Sequence, residues 1–225
     1  MIVKKWMSRP VISIESDASL LEASKLFRQK IISMLPVMNK GKLSGVVTDG
    51  DIKKASPSEA TTLDIYELMH MVGKIKIKTI MSTPVVTVSS DCTVDEAARI
   101  MLSKDISGMP VVDQKSNMVG IITKSDVFRC LVSFTGVAHK GQIFAFRIQD
   151  RPGIIKHLTE IIRNRNGRLS SILTSYDDVD KGFRKVFIYV FGIKPTEFNS
   201  LVVELNDAAK LLYAADQTQD MRRIY

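Results

Sequence analysis

The chain has 225 residues, of which 45% are hydrophobic and 25% are charged, as is typical of folded globular proteins and not of disordered ones. Its formal net charge at pH 7 is +8, and residues 1–134 and 135–225 each contribute +4. Because this excess forms no basic arm and no cluster of Lys and Arg among aromatic residues, the composition argues against nucleic-acid binding. Mild basicity suits phosphorylated small molecules equally well.

The cysteine content and the hydropathy predict a cytoplasmic protein. Cys92 and Cys130 are too few and too far apart for a disulfide framework or a CxxC metal site. The N-terminus lacks the apolar run of a signal peptide, and no stretch approaches the roughly 20 apolar residues of a membrane span.

A tandem repeat occupies the first 134 residues. The segment MSRPV at 7–11 returns as MSTPV at 81–85, an offset of 74 residues. After one inserted residue in the second copy, GVVTDGD at 45–51 matches GIITKSD at 120–126. We therefore predict repeat 1 at 1–55, a connecting helix at 56–78 and repeat 2 at 79–134.

Each copy is predicted to fold as a βαββα unit. β-Branched runs after a proline predict first strands at 11–14 and 85–88. Ser19 or Asp17, and Thr93 or Asp91, offer N-caps for the helix that follows. A hairpin comes next, and each copy ends in a helix that begins with Thr-x-x-Asp.

The Thr-x-x-Asp segments are candidates for ligand binding. A helix N-terminus presents free N–H groups and a partial positive charge, a threonine hydroxyl can donate to a phosphate, and an aspartate can accept from ribose hydroxyls. The alternative is a simple helix N-cap, which would be favoured for one copy alone. Two copies at matching positions instead favour a pair of equivalent clefts between the repeats.

The spacing Met-Ser-x-Pro-Val, Ile-Ser-x-x-Pro-Val and Gly-h-h-Thr-x-x-Asp (h, hydrophobic) resembles a pair of cystathionine-β-synthase (CBS) domains, a Bateman module. The resemblance implies that an adenosine-containing ligand such as AMP, ADP, ATP or S-adenosylmethionine binds in the clefts. On the matching positions, Asp51 and Asp126 would bind the ribose, and Thr48 and Thr123 the phosphates. The residues that would border the adenine are Ile12, Ser33, Met34, Val86, Ser107 and Gly108.

The two copies differ in the residue after the threonine, which is Asp49 in the first and Lys124 in the second. A lysine near a phosphate is favourable and a carboxylate is not. We therefore predict that the cleft of Thr123 and Asp126 binds a charged phosphate better. The other cleft would be empty or would prefer an uncharged or cationic adenosyl ligand.

The second half of the chain is predicted to be a different domain, after a linker at 135–141. Residues 142–216 show the order strand, helix, strand, strand, helix, strand, which predicts a βαββαβ ferredoxin-like sandwich followed by a tail at 217–225. The fold class is therefore α+β. The acidic turn at 177–182 lacks the twelve-residue pattern of an EF-hand and is interpreted as a hairpin tip.

The loop Asp150-Arg-Pro-Gly153 in this setting resembles the ACT domain, which binds amino acids, often where two such domains meet. Pro152 is expected to start the helix, Gly153 to let a ligand approach the backbone, and the helix N-terminus to hold a carboxylate. Amino-acid-binding members often carry Asn soon after the glycine before the second strand, whereas Arg168 follows Gly167 here. Amino-acid binding and a purely dimerising role both stay open.

No catalytic set is recognisable in the sequence. His70, His139 and His157 lie in three separate segments, and no P-loop, GxSxG or HExxH motif occurs, so we expect no enzyme, metal site or catalytic cofactor.

The whole chain resembles CBS–ACT proteins of acetoin utilisation, which suggests regulation of carbon metabolism. We predict a homodimeric sensor that binds an adenosine ligand and passes its state to a protein partner. The alternatives are a ligand-free scaffold and, third, a nucleic-acid-binding protein.

Overall fold

The computed structural model describes residues 1–56, 72–136 and 140–225. The chain has the mixed α and β content that was predicted, and it divides into two compact units, Met1–Phe128 and Arg129–Tyr225. Most of the predicted connecting helix at 56–78 lies outside the described residues, as do His70 and His139. No helix in the described ranges is long and apolar enough to cross a membrane.

Repeat 1 contains one short and two longer strands with two helices. The first helix buries Leu20, Ala23 and Phe27 against the sheet, as its 3.6-residue periodicity predicts. The second strand pairs in parallel with the first and antiparallel with the third. The elements are β1 (Ile14–Glu15), α1 (Leu20–Lys30), β2 (Met34–Asn39), β3 (Lys42–Thr48) and α2 (Asp49–Ala55).

Repeat 2 has the same order and the same pairing. Its elements are β4 (Val88–Ser89), α3 (Val94–Ser103), β5 (Gly108–Val112), β6 (Met118–Thr123) and α4 (Lys124–Thr135). The first strand of each repeat was predicted too long, since only two residues of each pair with the next strand. The preceding segments turn to the opposite repeat, where Ser8 bridges to Ile121 and Ser82 to Val46.

Capping boxes start the first helix of both repeats. Ser19 accepts from the backbone N–H of Glu22, and the Glu22 carboxylate accepts from the backbone N–H of Ser19 at 2.6 Å. Thr93 and Glu96 repeat this arrangement at 2.9 Å. The caps are therefore Ser19 and Thr93, whereas Asp17 accepts from the Lys78 ammonium at 2.7 Å.

The two repeats exchange the segments that precede them. The backbone N–H of Val3 donates to Cys92 O at 2.9 Å, which ties the N-terminus to repeat 2. The N–H groups of Ile77 and Lys78 donate to Ala18 O and Ser16 O, both at 2.9 Å, which ties the start of repeat 2 to repeat 1. Neither repeat is complete without the chain of the other.

The second unit contains five strands and two helices. The elements are β7 (Gln142–Gln149), α5 (Ile154–Asn164), β8 (Arg168–Ser175), β9 (Phe183–Phe191), α6 (Pro195–Ala208), β10 (Lys210–Asp216) and β11 (Met221–Ile224). The strands form an antiparallel sheet in the order β11-β10-β7-β9-β8, and Phe144, Phe198 and Leu205 lie in the core. The predicted tail at 217–225 needs correction, because residues 221–224 form a strand that pairs with β10.

Candidate ligand clefts of the repeated unit

The Thr-x-x-Asp segments form the same local structure in both repeats. One oxygen of the Asp51 carboxylate, Oδ2, accepts from the backbone N–H of Thr48 at 2.9 Å and from its hydroxyl at 2.7 Å. Asp126 Oδ2 accepts from the N–H and hydroxyl of Thr123, both at 2.9 Å. Both aspartates therefore cap a helix through Oδ2, so a ligand would have to use the other oxygen, Oδ1.

The glycine before each Thr-x-x-Asp segment is explained by contact with the opposite repeat. A Cβ at Gly45 would lie 2.4 Å from Met81 Sδ, and a Cβ at Gly120 would lie 2.3 Å from Met7 Sδ. The Met-Ser-x-Pro and Gly-h-h-Thr motifs are thus two halves of one contact between the repeats.

A cleft of about 320 Å³ opens between the repeats at Asp51, and we call it the Asp51 cleft. Thr48 and Asp51 come from the start of α2, whereas Val86 and Lys124 come from repeat 2. The predicted site residues that it brings together are Met34, Thr48, Asp51, Val86, Ser107, Gly108 and Lys124.

The position of Lys124 differs from the expectation on which the ranking of the two clefts was based. Lys124 follows Thr123 in the chain, but it lines the cleft of Thr48 and Asp51. Lys124 therefore contributes its positive charge to the cleft of the aspartate in the opposite repeat.

Four predicted residues lie outside the lining of the Asp51 cleft. Thr123 and Asp126 belong to the other helix start, and Ile12 packs against the core of repeat 1. The carbonyl of Ser33 accepts from the backbone N–H of Asp49 at 3.3 Å.

The surroundings of Asp126 differ from those of Asp51. Asp126 is only 3% exposed, and its Oδ1 accepts from the Ser8 hydroxyl at 3.4 Å. Asp51 is half-buried, and the structure gives its Oδ1 no hydrogen-bond partner within the described ranges. Asp49 pairs with Lys53 at 2.5 Å on the surface of α2. The Asp51 carboxylate is therefore the one with an oxygen available to a ligand.

The sequence reasoning did not single out Ser82, Pro84 and Asp105, which also line the Asp51 cleft. Ser82 and Pro84 belong to the Met-Ser-x-Pro motif, so the motif itself was a usable signal. Asp105 has a positive φ of 50°, and its counterpart Ile31, at the same offset, has a φ of 52°. The backbone conformation is repeated at this position but the residue type is not, so comparing the two copies could not identify Asp105.

The loop at 150–153 in the second unit is organised differently from the prediction. The helix begins at Ile154 with Gly153 as its N-cap at φ 90°, so Pro152 precedes the helix and does not start it. A Cβ at Gly153 would meet no atom within 4 Å, which leaves the backbone open. The Asp150 carboxylate accepts from the Tyr176 hydroxyl at 3.0 Å and lies 3.3 Å from Arg184 Nε.

A pocket of about 330 Å³ lies beside this loop. Arg151 and Ile154 line it together with Arg147, Phe183 and Lys210, but none of the three predicted residues Asp150, Pro152 and Gly153 does. The Arg147 guanidinium lies 4.2 Å from the centre of the Phe183 ring. The pocket is basic with an aromatic wall, which suits a carboxylate on a partly apolar body.

Comparison with known proteins finds relatives of the repeated unit. A family model described as the CBS domain matches residues 3–58 and 77–133. The chain is 32% identical over 132 residues to a CBS domain-containing protein of Dictyostelium discoideum, covering 58% of this chain and 91% of that protein. It is also 32% identical over 155 residues to the uncharacterized protein MJ1426 of Methanocaldococcus jannaschii, covering 59% of this chain and 92% of that protein.

A solved structure of the domain pair of protein MJ0100, in complex with 5′-methylthioadenosine and S-adenosyl-L-methionine, is similar to the same region. The identity is 34%, the similarity covers 59% of this chain and 96% of that one, and the TM-score is 0.49.

Proposed function

Because this chain belongs to the CBS domain family, we propose that it is a regulatory protein whose paired repeats bind an adenosine-containing ligand in the Asp51 cleft. The observation that carries the proposal is the convergence of Thr48, Asp51 and Lys124 in one cleft built from both repeats. A ligand held by groups from both repeats would stabilise their arrangement. A protein partner would sense this stabilised arrangement of the two repeats.

The chemistry of the cleft supports an adenosine that carries an anionic group. Asp51 Oδ1 can accept from ribose hydroxyls while Oδ2 keeps the helix cap. Val86 and Met34 offer apolar contacts for a base, and the Lys124 ammonium can pair with a phosphate or carboxylate. AMP, ADP, ATP and S-adenosylmethionine all meet these requirements.

The other helix start is proposed to be structural. Both oxygens of the Asp126 carboxylate already have protein donors, and the side chain is buried. A ribose there would have to displace the Ser8 hydroxyl. We therefore propose one ligand for each chain.

The test is calorimetric titration and thermal unfolding with AMP, ADP, ATP, S-adenosylmethionine and uncharged adenosine. Trp6, the only tryptophan in the sequence, reports unfolding of the first unit. A ligand at about 100 times its Kd should stabilise that unit by roughly 2.7 kcal/mol. We expect one ligand of the panel to do so, Asp51→Ala to abolish the effect, and Asp126→Ala to retain binding under conditions where it is folded.

An unchanged midpoint with the whole panel would contradict the proposal and favour the ligand-free scaffold that binds a protein partner. Loss of binding in a folded Asp126→Ala variant with retention in Asp51→Ala would instead assign the site to the other cleft.

For the second unit we propose an ACT-like ferredoxin sandwich that binds an amino acid near residues 150–153. The element order, the spatial order β10-β7-β9-β8 and the open backbone at Gly153 support it. Arg151 and Lys210 in the adjacent pocket could pair with the carboxylate. Thermal unfolding with single amino acids tests this, and Gly153→Val should remove any shift because φ 90° is unfavourable for valine.

We further propose a homodimer, which the exposed Leu131, Val132 and Phe134 of α4 support. Analytical sedimentation of the full chain and of its Leu131→Glu variant tests this proposal. We expect the unmodified chain to be dimeric and the variant to be monomeric. The resemblance to CBS–ACT proteins supports carbon metabolism, such as acetoin utilisation, as the setting of the regulated partner.

A further inference from the structure

A second and larger depression of about 860 Å³ lies between the hairpins of the two repeats. We call it the hairpin groove. One wall is the β2–β3 hairpin of repeat 1, and the other is the β5–β6 hairpin of repeat 2. It has none of the Thr-x-x-Asp residues, so it is distinct from the Asp51 cleft.

The segment that precedes β4 separates the groove from the cleft. Pro84 lines both cavities, Val86 lines the Asp51 cleft, and Val85 and Thr87 line the groove. Alternate residues of one extended segment thus serve two cavities. A molecule in the groove would touch the strip of chain whose other side touches the adenosine ligand.

Five hydrophobic side chains line the groove. Its hydrophobic side chains are half-buried, so each leaves part of its surface to be covered by a ligand. Two of them are methionines, which adapt their shape to different hydrocarbon bodies. These five residues are Met38, Leu43, Val85, Val112 and Met118.

The charged residues that line the groove are basic. Lys42 and Lys115 line it and are exposed, and the lining residues in the described part of the chain include no aspartate or glutamate. The nearby Asp113 is directed into its own turn, where it accepts from the backbone N–H groups of Lys115 and Asn117 at 2.9 and 2.8 Å. The two ammonium groups are thus available to an anion.

From the apolar lining and the two exposed lysines, we propose that the hairpin groove binds an amphipathic carboxylate, with its hydrocarbon body on the lining and its carboxylate at Lys42 and Lys115. A volume of about 860 Å³ lies within the range of small-molecule sites. A purely apolar ligand would leave the lysines without a counter-ion, and a small anion would leave the lining uncovered.

The experiment is calorimetric titration of the full chain with decanoate, below its micelle concentration, beside decanol and acetate. We expect decanoate to bind with one site for each chain and at least tenfold more tightly than either control. Shortening the chain to octanoate should weaken binding by about fourfold for each methylene that is removed.

Two variants assign the binding to the groove. Lys42→Glu/Lys115→Glu should weaken decanoate binding at least tenfold, and Thr87→Phe, which fills the groove, should do the same without a change of charge. The matched control is Lys25→Glu/Lys104→Glu, which places the same charge change at an exposed position of α1 and at the exposed C-cap of α3. Trp6 fluorescence verifies that each variant is folded.

The proposal is overturned if decanoate fails to bind at millimolar concentration, if decanol binds as tightly, or if the control variant loses as much affinity as the groove variant. AMP titration of the groove variants is a separate readout. If the groove variants still bind AMP, the Asp51 cleft is intact in them, whatever the result with decanoate.

Discussion

The two repeats start their last helix with the same Thr-x-x-Asp segment, but the two aspartates have different surroundings. Asp126 is buried and receives the Ser8 hydroxyl on its second oxygen. Asp51 is half-buried, and its second oxygen has no donor within the described residues. One copy of the motif has the features of a structural group, and the other has those of a ligand-binding group.

The difference arises from residues outside the motif. Ser82 is the counterpart of Ser8 and lines the Asp51 cleft, yet its hydroxyl makes no hydrogen bond with Asp51 in the described structure. Lys124 adds a positive charge to the Asp51 cleft, whereas its counterpart Asp49 is paired with Lys53. A motif match therefore identifies the helix start, and the opposite repeat decides whether a ligand can use it.

The largest expected effect is on stability, at Asp126. Asp126→Ala removes the acceptor of the Ser8 and Thr123 hydroxyls at a buried position and removes a helix cap, which should cost about 2–3 kcal/mol. Asp51→Ala removes a cap at a half-buried position and should cost only about 1 kcal/mol. Guanidinium unfolding followed by Trp6 fluorescence measures both, and equal losses would show that the two aspartates are equivalent after all.

Reversing the charge of Lys124 should have the next largest effect. Lys124→Glu replaces an attraction to the ligand's anionic group with a repulsion at an exposed site, and we expect about a tenfold loss of AMP affinity, or ~1.4 kcal/mol. The loss should shrink as salt is raised, because exposed charges are screened.

The matched control for Lys124 is Asp49→Lys, which changes the equivalent residue of the other repeat. It should leave AMP affinity within about twofold, because Asp49 does not line the Asp51 cleft and is paired with Lys53 on the surface of α2. If Asp49→Lys tightened binding and Lys124→Glu had no effect, phosphate binding would belong to the cleft of Asp126.

A smaller and symmetric effect is expected where the repeats are alike. Gly45→Ala and Gly120→Ala would each force a methionine sulfur of the opposite repeat to move, and each should cost about 1 kcal/mol. The same unfolding assay compares them. A difference of more than about 1 kcal/mol, well above the non-additivity expected of independent sites, would show that the contact between repeats is itself asymmetric.

Much of the repeated unit could be predicted because its signals are local. The capping boxes at Ser19 and Thr93 need only residues three positions apart, and the order of elements follows from the periodicity. The length of the first strands could not be predicted in this way. Ser8 and Ser82, which precede the first strands, form β-bridges with the opposite repeat. This pairing depends on tertiary packing and is not visible in the local sequence.

The site was predicted as a set of residues but not as an arrangement. Seven of the predicted residues line the Asp51 cleft, and among them is Lys124, which was expected beside Thr123 and Asp126 because it follows Thr123 in the chain. The strand at 221–224 was also missed, since Met-Arg-Arg-Ile has too few apolar positions to reveal its pairing with β10.

The smallest expected effect concerns the pH dependence of the two equivalent helix caps. Hydrogen bonds from the backbone of Ser19 and of Thr93 hold the pKa values of Glu22 and Glu96 below their usual 4.5. Because the pKa is lower in the folded state, each carboxylate adds stability above about pH 4.5, and this is lost as the pH falls through the folded value. Glu22→Gln and Glu96→Gln should therefore each flatten the decline of the unfolding midpoint between pH 6 and pH 3.

The two caps differ in one donor, and this difference gives the sharper test. Burial raises the pKa of the Cys92 thiol to about 11, so it stays protonated and donates to Glu96 at 3.2 Å. Among the described residues, Glu22 accepts hydrogen bonds from Ser19 alone. Cys92→Ala should thus raise the pKa of Glu96 toward its usual value. The contribution of Glu96 to the pH dependence of the unfolding midpoint should then become smaller, whereas the effect of Glu22→Gln should stay the same. An equal change in both parts would mean that the acid sensitivity comes from the contact between the repeats and not from the individual caps.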